Sequence, residues 1–317
     1  MASYLITGVA GFIGSNLLAA LLDLGHDVVG LDNFSNGKQE NLAFISEHRQ
    51  KDRFTFIEGD IRDLDVCKRA CDGVDFVLHQ AALGSVPRSV KEPLLYEQNN
   101  TVGHLNLLVA ARDAKVKRFV YASSSSVYGD TKILPKVETM VPAPKSPYAI
   151  SKISGEYFSK TFYELYGLET IGFRYFNVFG PKQDPDSQYS AAIPKFVTAL
   201  LENKAPTIYG DGNQTRDFTY IDNVVNANLA ACDCTHTEAF GKAYNVGCGG
   251  RISLNDLIRS MNSIIGVSVD PIYEVPRVGD VRDSQADISL LKEFIGVNHF
   301  VDLDEGLKKT VAWYQSL

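Results

Sequence analysis

Short apolar, β-rich runs alternate with helical segments through the first half of this chain, and that alternation limits what it can fold into. Residues 4–7, 27–31, 54–58, 75–79, 118–122 and 170–175 read as strands, with helical stretches at 13–24, 93–114 and 147–166. Gly25 and Gly167 close two of the helices, as glycine accepts the left-handed turn that ends a helix. Parallel strands need long crossovers, and helices supply them. The pattern therefore predicts an α/β fold, a doubly wound parallel sheet with helices on both faces. After about residue 177 loops lengthen, Tyr209-Gly210-Asp211-Gly212-Asn213 reads as a turn cluster, and helices recur at 191–202, 222–231, 253–265 and 288–294. We expect residues 1–177 to form the larger domain. Residues 178–317 should form mainly a smaller α/β lobe, with later segments crossing back to the sheet. A chain of 317 residues can bury cores of that size.

The first strand runs straight into Gly8-Val9-Ala10-Gly11-Phe12-Ile13-Gly14 and then into a helix. Glycines at 8, 11 and 14 permit a tight turn and a close backbone approach. They leave a helix N-terminus open to an anion, the arrangement that receives a dinucleotide pyrophosphate. A ligand-free glycine turn is the plainer alternative, and the strand before and helix after argue against it. Asp32 ends the second strand. A carboxylate there accepts hydrogen bonds from ribose hydroxyls and repels a 2′-phosphate, which favours NAD over NADP, with Lys38 as a weak counter-signal. Asp60-Ile61 follows the third strand and either flanks the adenine or forms a plain strand-end turn.

In Tyr148-Ala149-Ile150-Ser151-Lys152 the tyrosine and lysine lie one helical turn apart on one face. A phenol with its ordinary pKa of ~10 is a poor base at neutral pH. An ammonium and a nicotinamide cation beside it would favour the phenolate, which could then exchange a proton with a substrate hydroxyl while hydride moves. The spacing alone is common. It gains weight from the glycine loop and from Ser123-Ser124-Ser125-Ser126 at the end of an earlier strand. Net charge is −7, which speaks against broad nucleic-acid binding. Cys67, Cys71, Cys232, Cys234 and Cys248 have no histidine in metal-ligand spacing, so we expect no metal and free thiols in a reducing cytoplasm. No apolar run is long enough for a membrane span. The start, MASYLITG, carries no basic stretch before an apolar one, so no secretory leader is expected.

Taken together, these segments resemble the extended short-chain dehydrogenase/reductases, and within them the UDP-hexose 4-epimerases, over nearly the whole chain. Besides the loop and the Tyr148/Lys152 pair, the resemblance rests on Asp32-Asn33-Phe34, Gly59-Asp60-Ile61-Arg62-Asp63, His79-Gln80-Ala81-Ala82 and Asn99-Asn100. It also rests on Val127-Tyr128-Gly129 and Arg174-Tyr175-Phe176-Asn177-Val178-Phe179-Gly180. It implies a Rossmann-type NAD domain and a catalytic triad of Ser124, Tyr148 and Lys152. Ser124 would hydrogen-bond the reacting oxygen, Tyr148 would be the acid/base, and Lys152 would hold the nicotinamide ribose and tune the tyrosine. NAD would be bound by Gly8, Gly11, Phe12, Ile13, Gly14, Asp32 and Asn33. Asp60, Ile61, Gln80, Ala81, Ala82, Asn99 and Tyr175 would complete that site with Tyr148 and Lys152.

The resemblance also implies a UDP-sugar site. Arg216 and Arg277 match pyrophosphate-binding positions, Asp280 a uridine-ribose contact, and Asn177 a side chain reaching the phosphates. Either arginine taken alone would pass as a surface charge. Gly84, Ser85, Ser126, Gln183 and Ser284 would line the hexose pocket. A small residue at position 284 leaves room for an N-acetyl group, where tyrosine would restrict the site to glucose and galactose. The closest likeness is to UDP-N-acetylglucosamine 4-epimerases. UDP-glucose/UDP-galactose remains an alternative, and Arg88 leaves uronic acid forms open. Nucleotide-sugar dehydratases and decarboxylases of this family carry an acid where this chain has Ser125-Ser126-Val127. A non-catalytic NAD-binding protein is the alternative from another class. The resemblance implies a homodimer packed through 93–114 and 147–166. Leu105, Leu107, Leu108, Phe158 and Phe162 could serve that contact or the core.

Overall fold

The structure, a computed structural model, describes residues 1–185, 192–276 and 282–317. Seven strands form one parallel sheet: β1 (Ser3–Thr7), β2 (Asp27–Asp32), β3 (Phe54–Glu58), β4 (Phe76–His79), β5 (Arg118–Ser124), β6 (Glu169–Tyr175) and, after four short strands, β11 (Lys242–Val246). The four are β7 (Val178–Phe179), β8 (Thr207–Tyr209), β9 (Thr215–Arg216) and β10 (Thr219–Tyr220); β12 (Ile252–Ser253) and β13 (Ile272–Glu274) follow β11. The helices are α1 (Phe12–Asp23), α2 (Leu64–Cys71), α3 (Val86–Lys91), α4 (Pro93–Tyr96), α5 (Gly103–Asp113), α6 (Pro147–Tyr166), α7 (Ala192–Leu201), α8 (Ile221–Asp233), α9 (Leu254–Ile265) and α10 (Leu303–Gln315).

The sheet order is β11-β6-β5-β4-β1-β2-β3. From β1 the chain moves to β2 on one side and later returns to β4 on the other. That reversal opens a crevice at the carboxyl ends of the strands, where open α/β sheets bind ligands. Both faces are covered, because alternate strand residues point to opposite sides. Tyr4 and Ile6 of β1 pack in one core with Leu17, Leu18 and Leu21 of α1, while Leu5 packs in the other with Leu107, Leu108, Phe119 and Phe162.

Three differences from the sequence reading matter. The helix expected over 93–114 runs unbroken to Asp113 but is not uniform: α4 passes through a π-helical segment, Glu97–Val102, into α5. The wide turn buries Asn99 and Asn100, which ordinary helical periodicity does not reveal. The helix expected at 288–294 is present but ends in a π-helical turn, Leu291–Ile295, and α10 was not anticipated. The expected return to the sheet is β11, whose Lys242–Val246 run pairs in parallel with β6.

Candidate active site

Glycine is required where β1 meets α1. Gly8 has φ +70, and a Cβ there would lie 2.8 Å from the Ala81 nitrogen; one at Gly14 would lie 2.1 Å from the Gly8 carbonyl oxygen. No L side chain fits either place. Gly11 caps α1 without a side-chain acceptor, and no acid occupies the first turn, so the first N–H groups and the positive end of the helix dipole stay open to an anion. At the end of β2, Asp32 is 8 % exposed. Its Oδ2 accepts from Ala10 N and its Oδ1 from Phe34 N, both at 2.9 Å. Burial pushes this carboxyl up, and the backbone hydrogen bonds oppose the shift. Asp32 and Asn33 line a narrow cleft with Gly8, Gly11, Ile61, Gln80, Ala81, Ala82 and Asn99. Asn33 donates to Asp60 at 2.9 Å, and Arg62 grips the same carboxylate at 2.6 Å, holding it at about 2, with the Arg62 hydrogen bond the largest cause. A cradle only glycine can form, an uncapped helix start and a carboxylate at the second strand end fit NAD.

The cleft opens into a cavity of ≈ 860 Å³ lined by Phe12, Ile13, Gly14, Gly84, Ser85, Arg88, Tyr96, Lys182 and Gln183. Beside it α6 presents the chemistry. Ser146 caps this helix by accepting from Ala149 N, and Pro147 follows in the first turn, where its missing N–H is no loss. The Ser124 hydroxyl at the end of β5 lies near enough to the Tyr148 phenol to lower its pKa. Lys152 stands one turn further on, its Nζ donating to the Ala122 carbonyl at 2.8 Å and lying 5.9 Å from the Tyr148 ring centroid.

Burial dominates the electrostatics of the pair. It raises the Tyr148 pKa, with only the Ser124 hydroxyl lowering it among the causes. Burial also pushes the Lys152 ammonium down to about 8. In the protein alone the phenol is therefore neutral, because desolvation outweighs its polar contact and the lysine turns toward a backbone carbonyl. Behind the pair, Glu156 takes two hydrogen bonds from Arg174, at 2.7 and 3.0 Å, and one from Ser123. This ties α6 to β5 and β6.

Tyr175 and Gln80 meet in a triangle with Asn228. Asn228 donates to the tyrosine oxygen at 2.9 Å, Tyr175 to Gln80 at 3.3 Å, and Gln80 to Asn228 at 3.2 Å. Asn177 takes φ +35 and donates to the Asp217 carbonyl at 2.9 Å and to Ser284 Oγ at 3.1 Å. Both its amide hydrogens are thus directed at the protein. Ser284 is 9 % exposed, so it is not an exposed loop serine. Arg216 lies in β9 and donates to the Thr215 and Arg282 carbonyls. Ser126 Oγ and Gln183 Oε1 are buried without a hydrogen-bond partner. Arg277 and Asp280 lie outside the described residues.

Sequence reasoning missed several residues. Tyr96 accepts from Ser85 N at 3.0 Å and meets Tyr148 edge-on at 6.4 Å between centroids. Asn100 clamps Leu83 and reaches Ser151 of α6. Asp217 accepts from the N–H groups of Cys248, Gly249 and Ala286. Only Asn100 carried a signal, as the neighbour of Asn99. Among the described residues there is no His/Cys/Asp/Glu group able to hold a metal, and no helix is long and apolar enough to cross a membrane.

Comparison with known proteins agrees with this geometry. The family described as "NAD dependent epimerase/dehydratase family" matches residues 4–247. The UDP-glucose 4-epimerase of Mycolicibacterium smegmatis is 38% identical over 314 residues, 98% of each chain. Among solved structures, the UDP-N-acetylglucosamine 4-epimerase of Methanobrevibacter ruminantium, in complex with UDP-N-acetylmuramic acid, superposes with a TM-score of 0.93 at 40% identity, covering 99% of this chain and 98% of that one. The UDP-glucuronic acid 4-epimerase of Bacillus cereus, with UDP-glucuronic acid and NAD, gives a TM-score of 0.90 at 33% identity, covering 99% of both.

Proposed function

Because the chain belongs to the NAD-dependent epimerase/dehydratase family, we propose that it interconverts UDP-hexoses differing at C4, with UDP-N-acetylglucosamine and UDP-N-acetylgalactosamine as its pair. The observation that carries the reaction type is the grouping of Tyr148 with the Ser124 hydroxyl and with Lys152, 5.9 Å from its ring centroid, with no acid in Ser125-Ser126-Val127. The carboxylates lining the cavity, Glu92 and Asp184, are paired with Arg88 and Lys38. This favours epimerisation, which needs one acid/base, over dehydration, which needs more.

When bound, NAD supplies a reversible hydride acceptor whose cationic ring also favours the Tyr148 phenolate. Tyr148 takes the C4 hydroxyl proton as that carbon is oxidised to the ketone and gives it back as the carbon is reduced on its other face. Ser124 holds the reacting oxygen. Lys152 reaches the nicotinamide ribose and, as an ammonium, stabilises the phenolate. Gly8, Gly11 and Gly14 receive the diphosphate with Phe12 and Ile13, and Asp32 receives the adenosine ribose. Asn33, Asp60 and Ile61 hold the adenine end. Gln80, Ala81, Ala82, Asn99 and Tyr175 border the nicotinamide half. In the second lobe Arg216, Arg277, Asp280 and Asn177 serve the UDP moiety, and Gly84, Ser85, Ser126, Gln183 and Ser284 the hexose.

The choice of N-acetylated sugars rests on the small, buried Ser284 beside Asn177 and on the 40% identity to a UDP-N-acetylglucosamine 4-epimerase. A uronic acid substrate is the second reading, because Arg88 lines the larger cavity with Gly84, Ser85 and Gln183; its guanidinium would have to leave Glu92, 3.2 Å away. We place the enzyme in the cytoplasm, on the strength of its five free thiols. Ser284→Tyr tests the substrate. Overfilling a formed pocket costs ~1–3 kcal/mol, here felt only by the acetamido sugar. The ratio of kcat/KM for UDP-N-acetylglucosamine to that for UDP-glucose should fall at least ~10-fold. An unchanged ratio removes Ser284 as the gate.

A further inference from the structure

Lys182 belongs to none of the motifs above and has no task in the proposed chemistry. Its backbone lies in the left-handed region, φ +69, which a lysine adopts only against steric resistance. The side chain runs to α1. Its Nζ sits 4.0 Å from the centroid of the Phe44 ring and donates one long hydrogen bond, 3.4 Å, to the Ser15 carbonyl in the first turn of that helix. Among the described residues no carboxylate pairs with it; Asp184 is engaged 3.0 Å from Lys38 instead. Burial alone pushes its ammonium down to about 8. Lys182 lines the larger cavity together with Gly11 and Gly14.

Two sources of positive charge thus converge on one wall: a desolvated ammonium and the uncapped N-terminus of α1. Without an anion between them they repel, and the half-buried ammonium keeps only the Phe44 ring and one long hydrogen bond in place of its hydration. We propose that Lys182 is a ligand of the cofactor diphosphate, donating to it opposite the glycine loop. The proposal rests on the reading that Gly8–Gly14 receives NAD. Residues 181–184 then act as a clasp over the bound cofactor. Asn16 of α1 donates to the Pro181 carbonyl at 3.2 Å, and the Lys38–Asp184 ion pair joins the segment to the loop after β2. The next residue, Gln183, carries the buried, unpartnered Oε1. Cofactor binding at Lys182 would therefore fix the neighbouring side chain assigned to the hexose pocket.

The test is calorimetric titration of cofactor-stripped protein with NAD, ADP-ribose and adenosine, for wild type, Lys182→Ala and Lys182→Arg. Truncating one partner of a desolvated, charge-assisted hydrogen bond should weaken NAD and ADP-ribose binding on the order of 10–100-fold. Adenosine, which lacks the diphosphate, should bind wild type and Lys182→Ala alike, and Lys182→Arg should recover most of the affinity. Unchanged NAD affinity in Lys182→Ala overturns the proposal. An equal loss for adenosine also overturns it, because the lysine would then only be holding the fold. Wild type that binds no NAD would overturn the cofactor reading and this proposal with it.

Discussion

Asp32 carries the cofactor preference on one side chain. Two backbone N–H groups already hold its oxygens, so it cannot swing away from a ligand, and burial magnifies its repulsion of a 2′-phosphate. Stripped protein should bind NAD at least ~10-fold more tightly than NADP, a difference of about 1.4 kcal/mol. Asp32→Ala should erase the gap. Titration calorimetry decides, and NADP binding as tightly as NAD to wild type would sink the role given to Asp32. At this scale the sequence was informative wherever a residue type has one physical use, as with glycines at a close approach or a carboxylate at a strand end. It was silent on Tyr96, Lys182 and Asp217, whose positions are set by chain segments distant in sequence. It did not show how deeply Tyr148 is buried, because burial is a property of the packed fold.

At the scale of elements, α6 and the end of β5 must keep register for Ser124 to reach Tyr148. The staple is the Glu156–Arg174 pair, side chains 8 % and 7 % exposed at 2.7 Å, with Ser123 hydrogen-bonded to the same glutamate. Leaving Arg174 buried and unpaired is costly. Glu156→Ala should lower stability by ~3–5 kcal/mol, measured by urea unfolding, and the survivor should lose turnover more than NAD affinity. A loss below ~1 kcal/mol would mean the pair behaves as an exposed one. Helix α6 was legible to its last residue because proline opens it and Gly167 closes it. The π segment within 93–114 was not, since a π turn adds a residue without changing composition; α10 carried its signals, Asp302 capping Glu305 N and an apolar face of Leu307, Val311 and Tyr314, and was overlooked.

At the scale of the whole molecule, the parallel sheet followed from strand–helix alternation, whereas the return to it was expected without a place, because β11 pairs with β6, far back in the chain. The division near residue 177 remains our proposal for how labour is split between cofactor and sugar. Of the apolar residues considered for a dimer contact, Leu107, Leu108 and Phe162 belong to the core. Leu94, Ile150 and Tyr157 are instead among the exposed apolar residues of segments 93–114 and 147–166, at 77 %, 50 % and 60 %, with Val102, Leu165 and Tyr166, and Ile150 and Tyr157 lie two turns apart on one face of α6. We propose that two copies pack there. Sedimentation velocity should show a dimer, and Ile150→Glu with Tyr157→Glu should give a folded monomer; a monomeric wild type would end the proposal.

The central claim is that Tyr148 drives reversible oxidation at C4 with the hydride kept inside the enzyme. Proton NMR of UDP-N-acetylglucosamine incubated in D2O with the NAD-loaded protein, and no added reductant, tests it most directly. The account requires UDP-N-acetylgalactosamine to accumulate with its C4 hydrogen retained and no deuterium at C5. Tyr148→Phe should slow this by at least ~100-fold while NAD stays bound. Solvent deuterium at C4 or C5, a dehydrated product, no C4 epimer from any UDP-hexose, or an unimpaired Tyr148→Phe enzyme would contradict it.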